Sequence, residues 1–226
     1  MRIIAAFQKD REISYTSHLD VQRTLQRAFR RAELPLAYSK GFNPHPKLSF
    51  ATALATGYTS DGEWFEVELE QPIEIADFVV RVNAALPDGM RIVDAFEADD
   101  SIDTLSKLTR AARYTLTVHF DAPVTLEEVT DAVQTIMDSK ELIVDKKTKS
   151  GVKPTDIRPD ILEANVKGGS ENTAILDVVG TLTAAGGLRA ESFVRVLFDR
   201  LHRNGYFTAH RTRLYFAGSD RLARLE

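Results

Sequence analysis

The sequence contains no cysteine, which excludes disulfides, thiolate nucleophiles and thiolate metal sites together. Such a chain cannot hold an iron–sulfur cluster through its own side chains either. No apolar run approaches the roughly 20 residues that cross a bilayer as a helix, so no membrane association is expected. The first residues, MRIIAAFQKDREIS, meet a charge at Arg2 and again at Lys9. They leave no room for the apolar centre of a secretory signal, and a cytoplasmic location is expected. Positive charge is not in excess: 29 Lys and Arg stand against 33 Asp and Glu, a net charge of −4. A protein that coats nucleic acid through bulk charge has the opposite balance, so any anion site must be local.

What remains fits a globular α+β chain of 226 residues, 43% hydrophobic and 27% charged, long enough for one large domain or two small ones. Residues 2–15 read as strand material interrupted by a polar QKDRE turn. Ser17, three residues before Asp20, has the spacing of a helix N-cap. The helix it opens puts Val21, Leu25, Ala28, Phe29 and Ala32 on one face and Arg23, Arg27, Arg30 and Arg31 on the other. Leu34-Pro35 closes it, and a strand broken by a Gly/Pro-shaped loop follows. A half-buried strand over 64–69, a helix from Ile75 to about Leu86 and a strand over 90–96 complete a βαββαβ order.

The pattern then restarts. Residues 114–120 alternate as a strand, Thr125 with Glu128 forms a capping box, and strand material recurs at 140–144 and 174–182. A helix over about 189–204 stops at Gly205, where a helix C-terminus favours glycine, and 213–217 supplies a last strand. The expected fold is therefore α+β, two tandem ferredoxin-like (βαββαβ) units with antiparallel sheets: 1–97, a linker at 98–112 with a helical turn around Leu105, and 113–226.

Candidate chemistry concentrates in the first half. Arg23, Arg27 and Arg30 stand at i, i+4 and i+7, so their guanidinium groups share a face that can meet successive phosphates. A solvated face pairing with Asp20 and Glu33 is the plain alternative. Tyr38, Lys40, Phe42, Asn43, His45 and Lys47 mix aromatic, amide and cationic groups in a loop stiffened by Gly41, Pro44 and Pro46, a mixture that can stack a base and hold a phosphate. Alternatively Phe42 plugs the turn. His18 and His45, with Tyr15 and Lys47, supply titratable groups for metal-free RNA cleavage; a structural His18 at a helix start is the simpler account. No His spacing supports a metal site. In the second half Lys146, Lys147, Lys149, Lys153 and Arg158 form another basic stretch, for which a mobile, soluble hairpin is the plain reading, and Gly186-Gly187 offers N–H groups ahead of a helix, a weak anion signal.

The run from Ser17 to Leu69 also carries a resemblance. Ser17-His18-Leu19-Asp20, the arginine-rich helix through Arg31, LPLAYSKGFNPHPKLSFA, and Gly57, Ser60 and Glu63 before the acidic strand resemble the radical-SAM-linked protein family, a bacterial domain of unknown function found beside or fused to radical-SAM, cobalamin-binding-type proteins. The resemblance covers about a quarter of the chain and implies a radical-SAM partner that carries S-adenosylmethionine and the iron–sulfur cluster. The genomic company of such domains, ribosomal-protein and endoribonuclease genes, implies an RNA-related role. The expectation is a non-catalytic accessory partner that recognises RNA or another polyanion. The rivals are a metal-independent endoribonuclease using His18 or His45, and a protein-interaction adaptor.

Overall fold

Ser17 begins the first helix as its spacing predicts: its Oγ accepts from the Asp20 backbone N–H at 3.2 Å and donates to the Asp20 carboxylate at 2.7 Å. Such a cap contributes about 1 kcal/mol. The computed structural model describes residues 1–99, 101–148 and 151–218, with the backbone alone for Lys147 and Thr148. Among them the fold is mixed α/β, with a large, mostly antiparallel sheet and five α-helices. The chain forms two compact units, Met1–Arg110 with the chain from Arg213, and Ala111–Thr212.

The first unit runs β1 (Arg2–Lys9), α1 (His18–Arg31), β2 (Leu48–Phe50), β3 (Thr59–Glu68), α2 (Ile75–Ala85), β4 (Met90–Glu97) and α3 (Leu105–Leu108). Up to β4 this is the element order that the periodicity predicts. Its strands lie in the order β4-β1-β3, with β2 on the far side of β3, and each of these pairs is antiparallel. The apolar face of α1 seats Leu25, Ala28 and Phe29 at zero exposure against Ile3, Ala5 and Phe7 of β1 and Phe65 of β3. Burial of Leu25 and Phe29 contributes about 2–3 kcal/mol each. Phe29 meets Phe65 and Phe78 with ring centroids 5.8 and 6.2 Å apart. Trp64, whose neighbours Glu63 and Phe65 point to the other side of β3, packs edge-on against Phe96 and Phe216. The helix ends at Arg31, and Glu33 takes a left-handed conformation at φ 51° before Pro35.

The second unit holds β5 (Thr109–Phe120), α4 (Leu126–Asp138), β6 (Ile143–Thr148), β7 (Gly151–Asp156), β8 (Ile161–Ser170), β9 (Thr173–Thr183), β10 (Gly186–Gly187), α5 (Ala190–Leu201) and β11 (Gly205–Phe216). The first two residues of β5 and the end of β11 from Arg213 belong to the first unit. Thus 98–112, read as a linker, contains α3 and the opening of β5. The main strands lie in the order β8-β9-β5-β11, with β5/β9 and β8/β9 antiparallel. The Thr125–Glu128 capping box is complete, with each partner's side chain bonded to the other's backbone N–H.

One detail differs from the sequence expectations. The last helix stops at Leu201, where His202 takes the left-handed conformation at φ 50°. Gly205 instead opens β11, where a Cβ would stand 1.8 Å from the His119 carbonyl oxygen. The basic stretch after α4 is a two-stranded antiparallel ribbon of β6 and β7, the hairpin of the plain reading.

Candidate functional site

The arginine face of α1 is as exposed as its spacing predicts, but its members have different partners. Arg23 pairs with Asp20 at 3.2 Å, with both side chains more than half exposed. That pairing contributes little to stability. The Ser17 hydroxyl first, and Arg23 after it, hold the Asp20 carboxyl below the ordinary aspartate value. Arg27 donates to the Arg23 carbonyl at 3.3 Å. Arg31 donates to the Ala85 carbonyl at 2.5 Å and ties α1 to the end of α2. Among the described residues no carboxylate pairs with Arg27 or Arg30.

The 38–47 loop is closed at its neck. Tyr38 bridges to Pro46, the Ser39 N–H donates to the His45 carbonyl at 2.9 Å, and the His45 N–H donates to Ser39 Oγ at 3.2 Å. Ser39 Oγ also lies 2.9 Å from His45 Nδ1. At the tip Lys40 and Asn43 are exposed, and Phe42 is wholly exposed at 106%. Phe42 therefore does not plug the turn. Lys47 sits outside the tip, with Nζ 2.5 Å from Glu68 Oε2. Among the described residues no hydrogen bond or ion pair joins this loop to the arginine face.

Below the loop lies a cleft of about 340 Å³ lined by Arg2, His45, Lys47, Ser49, Glu66 and Glu68 among others. Its charges are matched internally. Glu66 receives Arg2 at 2.5 Å, Ser49 Oγ at 2.9 Å and the Leu105 N–H at 3.3 Å. The rest of the Arg2 guanidinium donates to the Ile102 and Asp103 carbonyls.

His18, at the first position of α1, meets Phe50 edge-on with centroids 4.8 Å apart. It lines a cavity of about 10 Å³, room for one water, together with Lys9, Thr52 and Glu63. Lys9 and Glu63 are 1% and 3% exposed, and Lys9 Nζ donates to the Ser14 and Thr16 carbonyls at 2.8 and 3.2 Å. The fold thus gathers His18, Thr52 and Glu63, separate pieces of the 17–69 run, around Lys9. Sequence reasoning missed Lys9 because a lysine at a strand end reads as solvated.

The second basic stretch is divided by the fold. Lys146 stands directly opposite Lys153 across the β6–β7 ribbon, a like-charge pairing that costs a few tenths of a kcal/mol. The Lys147 side chain and all of Lys149 lie outside the described residues. Arg158 faces inward on the ribbon's stem, donating to the Met137 carbonyl twice and to the Ile161 carbonyl. Gly186 and Gly187 are taken up in pairing with Thr183 and Leu182. Among the described residues no group of three or more His, Asp or Glu side chains is placed to hold a metal ion, and no helix is long and apolar enough to cross a membrane.

The chain belongs to the family described as an uncharacterized protein conserved in bacteria (DUF2344), which matches residues 2–189. No curated protein matches it. Among solved structures it is similar to the crystal structure of a Cbf5-Nop10-Gar1 complex, at 13% identity and a TM-score of 0.59 over 99% of this chain and 52% of that one. It is also similar to an H/ACA RNP bound to a substrate RNA containing 2'-deoxyuridine, at 10% identity and a TM-score of 0.54 over 94% of this chain and 47% of that one. The archaeal box H/ACA sRNP Nop10-Cbf5 complex follows, at 11% and 0.51 over the same shares. The chain spans about half the length of these three chains, and at these identities the likeness is one of fold.

Proposed function

We propose that this protein is a non-catalytic RNA-recognition partner of a radical-SAM enzyme, acting through the 38–47 loop and the arginine face of α1. The observation that carries the reading is Phe42. A wholly exposed phenyl ring on a loop closed by Ser39 and His45, with Lys40 and Asn43 beside it, forfeits about 2 kcal/mol of burial in the free protein. A stacked base recovers that loss, while the flanking cation and amide meet phosphate and base edge. Arg27 and Arg30, without carboxylate partners among the described residues, add phosphate contacts.

The strand orders β4-β1-β3-β2 and β8-β9-β5-β11 support a finer reading of the fold as two ferredoxin-like units. One fold neighbour is an RNP bound to a substrate RNA, which favours RNA among polyanions. The radical-SAM assignment rests on the resemblance of the 17–69 run. In that division the partner carries S-adenosylmethionine and the iron–sulfur cluster, since this chain has no thiolate to ligate one.

The test is binding of cellular RNA across a salt series by the wild-type chain, Phe42→Ala and Arg23→Ala/Arg27→Ala/Arg30→Ala, with capture by the immobilised radical-SAM protein in parallel. Counterion release predicts a shallower salt slope for the arginine variant and an unchanged slope with weaker binding for Phe42→Ala. Absence of RNA binding at low salt refutes the RNA reading; failure of capture refutes the partnership. The endoribonuclease alternative predicts metal-free cleavage lost in His18→Ala or His45→Ala with affinity kept.

A further inference from the structure

The two edges of the β6–β7 ribbon are not alike. The strands form a sheet of their own, so each has one side without a neighbouring strand. The Ile157 N–H donates to the Leu142 carbonyl at 3.0 Å, and the Leu142 N–H donates to Asp156 Oδ1 at 2.8 Å. Leu142 therefore faces the β7 side, and the alternation of an antiparallel ladder turns Val144 and Lys146 the same way. Ile143 and Asp145 in between point their N–H and C=O groups away from β7. Opposite Asp145 stands Pro154, where the missing N–H is one that would leave β7 on its own outer side. A proline there withdraws a donor without breaking the ribbon and closes that edge to further pairing. The β6 edge has no such block. The edge strand β8 of the main sheet is blunted in another way, by register shifts at Ile161/Glu163 and Val166/Gly168.

The open edge meets a cleft of about 610 Å³, lined by residues 141–145 on one side and by Arg195, Val196, Asp199 and Arg200 of α5 on the other. Side chains of successive strand residues point to opposite faces. Because all five residues take part, the cleft runs along the edge of the strand and not over one of its faces. Val144 and Val196 are buried, while Ile143 is 56% exposed. Arg200 lies 3.4 Å from Ser139 Oγ. Among the described residues no ion pair joins Arg195 to Asp145 or Asp199, so the guanidinium of Arg195 is available to an occupant of the cleft.

We infer that the β6 edge is a docking site for an extended segment of a partner protein, which adds antiparallel to β6 as a third strand of the ribbon. Outward N–H and C=O groups repeated at every second residue are the complement of another strand, and main-chain bonds of this kind hold a peptide whatever its sequence. Side chains then select it. Ile143 and Asp145 share one face of the ribbon, so the residues opposite them are an apolar and a basic one. Antiparallel pairing orders them basic, any residue, apolar along the segment. Arg195 and Arg200 on the far wall donate to the carbonyls of its outer side. The inference is independent of the RNA reading and uses none of the residues that carry it.

The experiment selects binders to the full chain from a displayed library of random short peptides. The selected peptide is then measured against wild type, Asp145→Pro and Asp145→Lys, with amide hydrogen exchange followed by NMR. The expected peptide carries the basic-x-apolar order and slows exchange at Ile143 and Asp145, which exchange freely without it. Asp145→Pro removes one outward N–H as Pro154 does on the other strand, and about tenfold weaker binding is expected. N-methylation of the peptide at its β6-facing amides has the same effect in the unaltered protein, whether or not Asp145→Pro folds. Asp145→Lys, which keeps every backbone group, selects an acidic residue in place of the basic one. An empty selection, or a peptide that keeps its affinity for Asp145→Pro and when N-methylated, overturns the inference. So does protection of Ile143 and Asp145 in the free protein. Self-association of the chain that Asp145→Pro abolishes overturns the partner and gives the edge to a second copy.

Discussion

The Arg158 guanidinium closes on the Met137 carbonyl, with Nη2 at 2.7 Å and Nε at 3.1 Å, while Nη1 reaches the Ile161 carbonyl at 2.8 Å. Met137 lies in the last turn of α4, whose carbonyls have no partner within the helix. Arg158 thus completes the helix end and fastens it to the start of β8. Removing a charged donor from partly buried acceptors costs about 1.5–3 kcal/mol. Arg158→Ala is expected to lower the urea midpoint accordingly, with RNA affinity of the folded protein unchanged. Arg27→Ala should show the reverse: unchanged stability and weaker RNA binding. A stable Arg158→Ala variant with lost affinity would return Arg158 to the anion-binding set.

Arg2 and Glu66 form the more enclosed ion pair of the first unit, with side chains 20% and 10% exposed. The same carboxylate also receives Ser49 and the Leu105 N–H. Arg2→Ala leaves that charge without its main partner, and a loss of about 2–4 kcal/mol is expected, below the full cost at a wholly buried pair because water reaches both groups. Glu66→Gln keeps acceptors for Ser49 and Leu105 and should cost less. Chemical denaturation of both variants checks the order; equal losses would contradict it.

Acid should weaken the second unit through Asp156. Backbone N–H groups of Leu142 and Arg158 hold its carboxyl below the ordinary aspartate value, at 2.8 and 3.0 Å. The folded form therefore binds the proton less readily than the unfolded chain. The stabilisation is complete above the ordinary aspartate range and disappears as pH falls through the lower folded value. Glu128, held down first by the Thr125 backbone N–H and then by its hydroxyl, has the same sign. Midpoints measured from neutral pH downward should fall less in Asp156→Asn than in wild type. Parallel curves would show that Asp156 does not titrate differently in the two states.

Local chemistry was readable where it is local. The caps at Ser17 and Thr125 and the apolar stripe of α1 are written within four residues of one another, and the helices begin where those signals stand. The start of β3 was not, because Ser60, Asp61 and Gly62 have turn composition and are held in a strand by pairing across to β1. β11 was read only from Arg213, since Tyr206, Thr208 and His210 alternate on a polar face and carry little apolar signal. The Lys9–Glu63 enclosure and the His119–Tyr206 stack join residues more than 50 positions apart, and no spacing rule reaches that far. Gly205 was misread for the opposite reason: its position near a helix end matched a helix-stop signal, while its real constraint lies across the sheet.

That constraint gives the last prediction. Gly205 has φ 155°, and an added Cβ would stand 1.8 Å from the His119 oxygen, 2.9 Å from its carbonyl carbon and 3.2 Å from Phe120 Cα. All three atoms are backbone of a neighbouring strand, so no side-chain rotation relieves the clash and β11 must move away from β5. Overpacking of this kind costs about 1–3 kcal/mol, and the upper end is expected for Gly205→Ala because the ladder itself must open. The displacement also separates Tyr206 from His119, whose rings are stacked 4.5 Å apart, whereas Tyr206→Ala, changed only at an exposed ring, should keep the wild-type melting temperature. If Gly205→Ala melts with the wild type, β11 tolerates the added methyl and the close approach to His119 is not a constraint on the sequence.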